Sequence, residues 1–320
     1  MKKTGILLLL AAGLACAQTS PMSTMVAQPD ASGIVPTSVS VPFVRYQTPT
    51  ASDIYCAGFL AKNRVPDANF VTGGLETPTS TKFEYPELIY LRGTGYQVGQ
   101  LYSIVRELRD INEYEIYPGM RKLLAAAGHP YSEVGRVRVV DMRSKEAIAQ
   151  VEFSCDAINP GDVAVPFVQR DPVTFHVPGH FDRFAPSSGK LTGRIVLAKD
   201  FDLLLGTGTT VYLNVGSNQG VKPGDYFRVV RSYMATLQNP VDSLTFKAQT
   251  SEDTQMRPPT IEANFLTKGK GPNIHIGDLP KRAVGEVVVL STTPTSSAAM
   301  LVFSFEDVYA GDNVELDHQD

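Results

Sequence analysis

Residues 135–162 read GRVRVVDMRSKEAIAQVEFSCDAINPGD, and residues 285–312 read GEVVVLSTTPTSSAAMLVFSFEDVYAGD. The two stretches align without a gap at a constant offset of 150 (285 − 135). Gly135, Val137, Val139, Ala149, Phe153, Ser154, Gly161 and Asp162 return as Gly285, Val287, Val289, Ala299, Phe303, Ser304, Gly311 and Asp312. Each stretch holds two runs of strand-forming residues and closes on a Gly-Asp turn, in 159–162 (NPGD) and 309–312 (YAGD). Glycine at the third turn position supplies a positive φ at little steric cost, and aspartate bonds nearby backbone N–H groups. None of the matched positions is a strong catalytic candidate. Asp162 and Asp312 read as turn residues, and Lys145-Glu146 as a hairpin tip.

The repeat extends upstream. Residues 99–106 (GQLYSIVR) match 224–231 (GDYFRVVR) at an offset of 125 (224 − 99), and 88–91 (LIYL) match 210–213 (TVYL). Loops follow at 92–98 and 214–223. The offset grows by 25 (150 − 125) between blocks, so the second copy carries a longer connector, at 232–283. The first connector holds 118–127 (PGMRKLLAAA), which predicts a short helix stopped by Gly128 and Pro130. Residues 54–60 (IYCAGFL) read as a first strand. Aligning 60–63 with 197–200 at an offset of 137 (197 − 60) sets Cys56 opposite Gly193. Alternation places Val151, Phe153 and Cys155 on one face, with Leu301, Phe303 and Phe305 as their counterparts.

Five or six short strands per copy, with one apolar face, must curl up or pack on another sheet. The expected fold is mainly β: two tandem small antiparallel β-barrels related by internal duplication, with a short helix in the first. A sandwich is the alternative. The expected division is a signal peptide at 1–17, a flexible leader at 18–52, a first module at 53–168, a Pro-containing linker at 169–190 and a second module at 191–318.

The N-terminus predicts export. Lys2 and Lys3 precede a short apolar run, and Ala15-Cys16-Ala17 is a small-x-small cleavage site. In a rival reading Cys16 is lipidated and anchors the chain to the outer membrane. The mature chain contains no further apolar run long enough for a membrane helix, so the expected location is periplasmic or extracellular. A net charge of −4, with only 19% charged residues, argues against nucleic acid as a partner. The absence of Trp weakens an aromatic sugar platform. Cys56 and Cys155 remain after cleavage, and an oxidising compartment makes them a candidate disulfide, with two buried free thiols as the alternative.

Chemistry-bearing patterns are sparse. His176 and His180 (HVPGH) have metal-ligand spacing, but Pro178 and Gly179 between them oppose a helix, and His275 joins only by tertiary accident. No metal or cofactor is expected. Gly93-Thr94-Gly95 and Gly206-Thr207-Gly208 lack the Gly-Lys-Ser/Thr of a phosphate loop and read as turns. Glu113, Glu115, Asp156 and Asp162 form no recognisable acid/base pair. The loop candidates for binding are Ser217, Asn218 and Gln219; the Asn and Gln amides are expected to face a glycan or a partner backbone, or the loop serves turn geometry alone. Tyr96, in the corresponding loop, is an exposed anchor or a lid on the barrel end.

Residues 211–231 (VYLNVGSNQGVKPGDYFRVVR), with 285–290 and the closing Gly311-Asp312, resemble the C-terminal module of the flagellar assembly protein T family. The pattern is similar to modules beside LysM-type peptidoglycan-binding domains in bacterial envelope proteins. A degenerate copy lies at 88–106 plus 135–162. The resemblance implies a non-catalytic module acting in assembly or anchoring of an envelope complex. The functional expectation is therefore an exported structural and interaction protein, not an enzyme. The alternatives are a peptidoglycan- or polysaccharide-binding module, and a metal-dependent hydrolase that uses the long connector as a lid.

Overall fold

The computed structural model describes residues 46–109, 115–175, 177, 181–231 and 280–317, and the backbone of 245–247 and 273–275. The expected signal peptide, Cys16, most of the leader, Glu113, His176, His180 and the His275 side chain lie outside the described residues.

In chain order the first half carries α1 (Ala51–Tyr55), β1 (Phe59–Ala61), β2 (Phe70–Gly74), β3 (Leu88–Arg92), β4 (Leu101–Glu107), α2 (Met120–Ala127), β5 (His129–Arg143), β6 (Glu146–Ser154) and β7 (Val163–Pro166). The second half carries β8 (Thr192–Ala198), β9 (Leu204–Leu205), β10 (Thr210–Leu213), β11 (Tyr226–Arg231), β12 (Thr245–Lys247), β13 (Asn273–His275), β14 (Arg282–Thr292), β15 (Ser297–Ser304), β16 (Val308–Tyr309) and β17 (Asn313–Leu316).

Both halves close into six-stranded antiparallel barrels. The first ring runs β5-β4-β7-β2-β3-β6 and returns to β5, with β1 added outside the ring on β5. The second runs β14-β11-β17-β8-β10-β15 and returns to β14. Strand for strand the order is the same. Closure removes the open edges that a small sheet would otherwise present.

The duplication reaches fine geometry. The register shifts between Ile104 and Val105, Arg136 and Val137, and Val139 and Asp141 recur between Val229 and Val230, Glu286 and Val287, and Val289 and Ser291. These bulges correct the alternation read from the sequence. One of them inserts Glu152 in the first copy and Val302 in the second, so each strand turns over there. Val151 and Leu301 fill the barrel interiors, but Phe303 packs on the outer wall of the second barrel instead of sharing Leu301's face.

Equivalent residues fill the two interiors. Val134, Val137, Val139, Ala149, Val151, Ile158 and Ala164 form much of the first core, and Val284, Val287, Val289, Ala299, Leu301, Val308 and Val314 the second. The closing turns hold Gly161 at φ 93° and Gly311 at φ 99°, as the Gly-Asp pattern predicts.

Two expectations at the N-terminal edge fail. Residues 51–55 form a helix, and only 59–61 form a strand. The cause is a capping box: the Asp53 N–H donates to Thr50 Oγ1 at 3.2 Å, and the Thr50 N–H donates to Asp53 Oδ2 at 2.8 Å. The true counterpart of β8 is β2. Val71 N donates to Asp162 O at 2.9 Å just as Ile195 N donates to Asp312 O at 2.9 Å, which gives an offset of 124 (195 − 71). Cys56 therefore has no equivalence with Gly193, and the leader's last residues, from 46, are ordered against the second barrel. The Gln47 N–H donates to Val302 O at 2.8 Å, and the Tyr46 ring lies 5.1 Å from that of Phe303.

Candidate functional site

The outer walls of the two barrels differ, and the difference builds an elaborate site among the described residues. On the first barrel the outward residues of β6 include Glu146, Gln150 and Glu152, and Arg92–Glu146 and Arg138–Glu152 ion pairs sit on that wall. On the second, β15 (SAAMLVFS) is apolar on both faces. Its outward Ala298, Met300, Val302 and Phe303 join Val196, Leu197, Tyr212, Tyr226, Val288 and Leu290 in a third core. A continuous apolar run marks a strand covered on both sides.

The cover comes from outside the barrel. The segment 46–61, here the strap, contributes Ile54, Ala57 and Leu60, and the stretch between the modules adds Val173, Phe175 and Phe181. The strap's backbone acceptors are satisfied across the seam: Tyr212 Oη donates to Ala57 O at 2.8 Å, and Ser296 Oγ donates to Leu60 O at 3.1 Å. Burial pushes the Tyr212 phenol well above its ordinary range. Gly58, at φ +70°, lets the chain pass where a Cβ would sit 2.4 Å from Tyr131 O and 2.5 Å from Tyr212 Oη. The first barrel's connector docks beside it. Tyr117 Oη donates to Val196 O at 2.8 Å, and the Arg194 guanidinium lies 5.2 Å from the Tyr117 ring centroid.

A disulfide and an arginine are prominent among the side-chain anchors that hold the strap to the first barrel. The first is the disulfide between Cys56 and Cys155, with Cα atoms 5.6 Å apart; the expected pairing is present. The second is Arg170, which donates Nη1 to Ile54 O at 2.6 Å and pairs with Glu133 through both nitrogens. Burial raises the Glu133 pKa, and the Arg170 pair opposes that shift.

The recurring Asp residues serve the fold. Arg106 donates Nε to Asp162 Oδ1 at 2.8 Å and Nη2 to Asp162 Oδ2 at 2.7 Å. Arg231 grips Asp312 the same way, at 3.3 and 2.6 Å. Each aspartate also accepts the backbone N–H three residues earlier, from Asn159 at 2.7 Å and Tyr309 at 2.9 Å. Asp162 hydrogen bonding raises the Arg106 pKa and keeps that guanidinium charged. The sequence signal for this clamp was available, because both partners recur at their own offsets.

The expected binding loops divide. Tyr96 is buried, its ring edge-on to Tyr102 at 5.0 Å, so it plugs the barrel end and is no exposed anchor. Ser217, Asn218 and Gln219 form an exposed 3-10 turn. Gln219 Oε1 accepts the Gly216 N–H at 2.9 Å, and Ser217 Oγ donates to Thr293 O at 3.3 Å, so these two side chains shape the turn. The Asn218 N–H donates to Pro294 O at 3.1 Å, and the residue is exposed.

Two further features were not visible in the sequence. Arg64, Arg106, Arg109, Asp67, Glu107 and Tyr131 line a cleft of about 380 Å³ beside the first barrel. There Arg64 (3.4 Å), Arg109 (3.7 Å) and His129 (3.4 Å) converge on Glu107. On the second barrel Glu286, Arg228 and Glu315 sit side by side on three adjacent strands, roofed by the interdomain stretch. Arg228 Nη2 donates to Pro186 O at 3.0 Å, Ser187 Oγ donates to Glu315 Oε1 at 2.9 Å, and Lys281 pairs with Glu315. Burial, together with the Asp317 carboxylate, pushes the Glu286 pKa up to about 8.

Among the described residues no cluster of three or more His, Cys, Asp or Glu is arranged to hold a metal ion, and no helix is long and apolar enough to cross a membrane. No protein-family model and no curated protein matches the chain.

Proposed function

We propose that the chain is an exported, non-catalytic structural and interaction protein of the bacterial cell envelope, acting in assembly or anchoring of an envelope complex. The observation that carries this reading is the second barrel's outer wall, whose apolar residues are buried by segments contributed from outside that barrel. A module whose wall receives strap, connector and linker segments is built to bind polypeptide. The positions shared by both copies support the non-catalytic part. Asp162, Asp312, Arg106 and Arg231 pair with one another in internal clamps, which gives each a structural role. The resemblance of residues 211–231 and 285–312 to the flagellar assembly protein T module points the same way, as does the N-terminal export pattern. Photo-crosslinking from Asn218 in intact cells, followed by mass spectrometry, tests the reading. Discrete adducts with envelope proteins are expected; none from Asn218, together with empty affinity captures from envelope extracts, refutes it.

A second reading, a module binding peptidoglycan or another polysaccharide, is favoured by the polar cleft, where Arg64 and Arg109 stand beside Asp67 and Glu107. Guanidinium groups suit carboxylates. Co-sedimentation with purified sacculi that is lost in Arg64→Ala/Arg109→Ala supports it, and retention of the wild-type protein in the supernatant dismisses it.

A further inference from the structure

The Cys56–Cys155 pair joins two parts with different allegiances. Cys56 belongs to the strap laid on the second barrel, and Cys155 directly follows β6 of the first. Both residues are half-buried, not sealed in a core. Cys155 lines a pocket of about 220 Å³ together with Arg106, Leu108, Ser132, Asp156, Lys199 and Asp200. Lys199 comes from the second half, so the pocket straddles the seam. The pocket is polar and of mixed charge, with Arg106 and Lys199 set against Asp156 and Asp200, and its mouth brings a thiol to Cys155. On the other side of the bond, Ser52 Oγ stands 3.6 Å from Cys56 Sγ and can donate a hydrogen bond to it.

We infer that this disulfide is a thiol–disulfide exchange site for a dithiol reductant, and that its state sets how firmly the strap holds the two barrels together. A thiolate of the reductant enters the pocket and attacks Cys155 Sγ. A new S–S bond forms to Cys155, the Cys56–Cys155 bond breaks, and the electron pair goes to Cys56 Sγ, where the Ser52 hydroxyl stabilises the thiolate. The reductant's second thiolate then attacks its own sulfur in the mixed disulfide. Cys155 leaves as thiolate, the reductant departs as its internal disulfide, and the two protons originally on the dithiol end on Cys56 and Cys155. Two electrons pass from dithiol to protein. With the bond open, the strap keeps Arg170, the three-residue β1–β5 pairing, the hydrogen bonds from Tyr212, Ser296 and the Gln47 N–H, and the contacts of Ile54, Ala57 and Leu60, but loses its disulfide tie to the first barrel. Local opening of the strap then exposes the apolar wall around Tyr212 and Met300.

The test treats the full chain, folded and without denaturant, with dithiothreitol, then reads free thiols by alkylation and backbone exposure by hydrogen exchange. Both cysteines are expected to label under native conditions. Exchange at residues 51–60 should accelerate about ten-fold or more, while 285–304 stay protected. Ser52→Ala should slow reduction roughly five-fold, the effect of losing one hydrogen bond to the leaving group. Thiols that appear only in denaturant, or full reduction with unchanged exchange at 51–60, overturn the proposal. An unchanged rate in Ser52→Ala overturns the leaving-group assignment. Cys56→Ser/Cys155→Ser should show the fast exchange without reductant. If that variant fails to fold, the wild-type comparison still decides the matter.

Discussion

Replacing Glu286 with Gln should stabilise the protein at neutral and alkaline pH while changing little in acid. Glu286 is only 2% exposed on β14, beside Arg228 of β11 and Phe303 of β15, with the Asp317 carboxyl against it and Glu315 and Lys281 beyond Arg228. Its pKa stands at about 8 in the folded chain against 4.5 as the ordinary value. The folded state therefore holds a proton that the unfolded state releases between these two values. Stability from this group is fully present below pH 4.5 and is lost as pH rises through 8. Each pH unit inside that window is worth about 1.4 kcal/mol, so the wild type loses roughly 4 kcal/mol from this site between pH 5 and 8. Gln keeps the neutral hydrogen-bonding shape and removes the loss. Urea unfolding of both proteins at half-unit steps from pH 5 to 9 measures the difference, in which titrating groups remote from Glu286 cancel. Parallel stability–pH curves for wild type and Glu286→Gln would refute the reasoning, because the carboxyl would then titrate alike in both states.

Gly58→Ala should destabilise by at least about 2 kcal/mol in thermal denaturation, since the added methyl meets Tyr131 O and Tyr212 Oη at a left-handed φ. Tyr212→Phe removes the bond to Ala57 O and leaves that buried carbonyl without its donor, a loss of about 1–3 kcal/mol by urea titration. Arg106→Ala strands the Asp162 carboxylate, whose side chain is 5% exposed, and should lower stability by about 3–5 kcal/mol at pH 7. Arg231→Ala should cost less, because Asp312 is 13% exposed and water reaches it.

The second barrel was legible because its signals are local. The Gly-Asp turns and the apolar alternation each concern residues near one another along the chain, and the recurrence of Gly135 to Asp162 as Gly285 to Asp312 repeats those local signals in register. The helix at 51–55 departs from the strand that the apolar run IYCAGFL suggests, because the Thr50–Asp53 capping box, a two-residue signal, turns the chain helical there. The bulges at Glu152 and Val302 were not legible. An extra residue in a strand shows only against its partner, so simple alternation puts Phe153 and Phe303 on the face opposite to the one they occupy. Tyr96 illustrates the same limit: an aromatic in a loop faces solvent or core according to what lies opposite, here Tyr102.

From the order of residues alone came the doubling of a β unit, the short helix in the first connector and the candidacy of Cys56 and Cys155 for a bond. These follow from periodicity, turn chemistry and cysteine count, which act over a few residues or are simply counted. Only the folded molecule decided that the rings close, that Arg106 and Arg231 grip Asp162 and Asp312, and that the strap and Tyr117 weld the barrels along the wall around Tyr212. The bond from Tyr212 to Ala57 joins groups 155 residues apart in the chain, and contacts at that range are chosen by shape and burial in three dimensions.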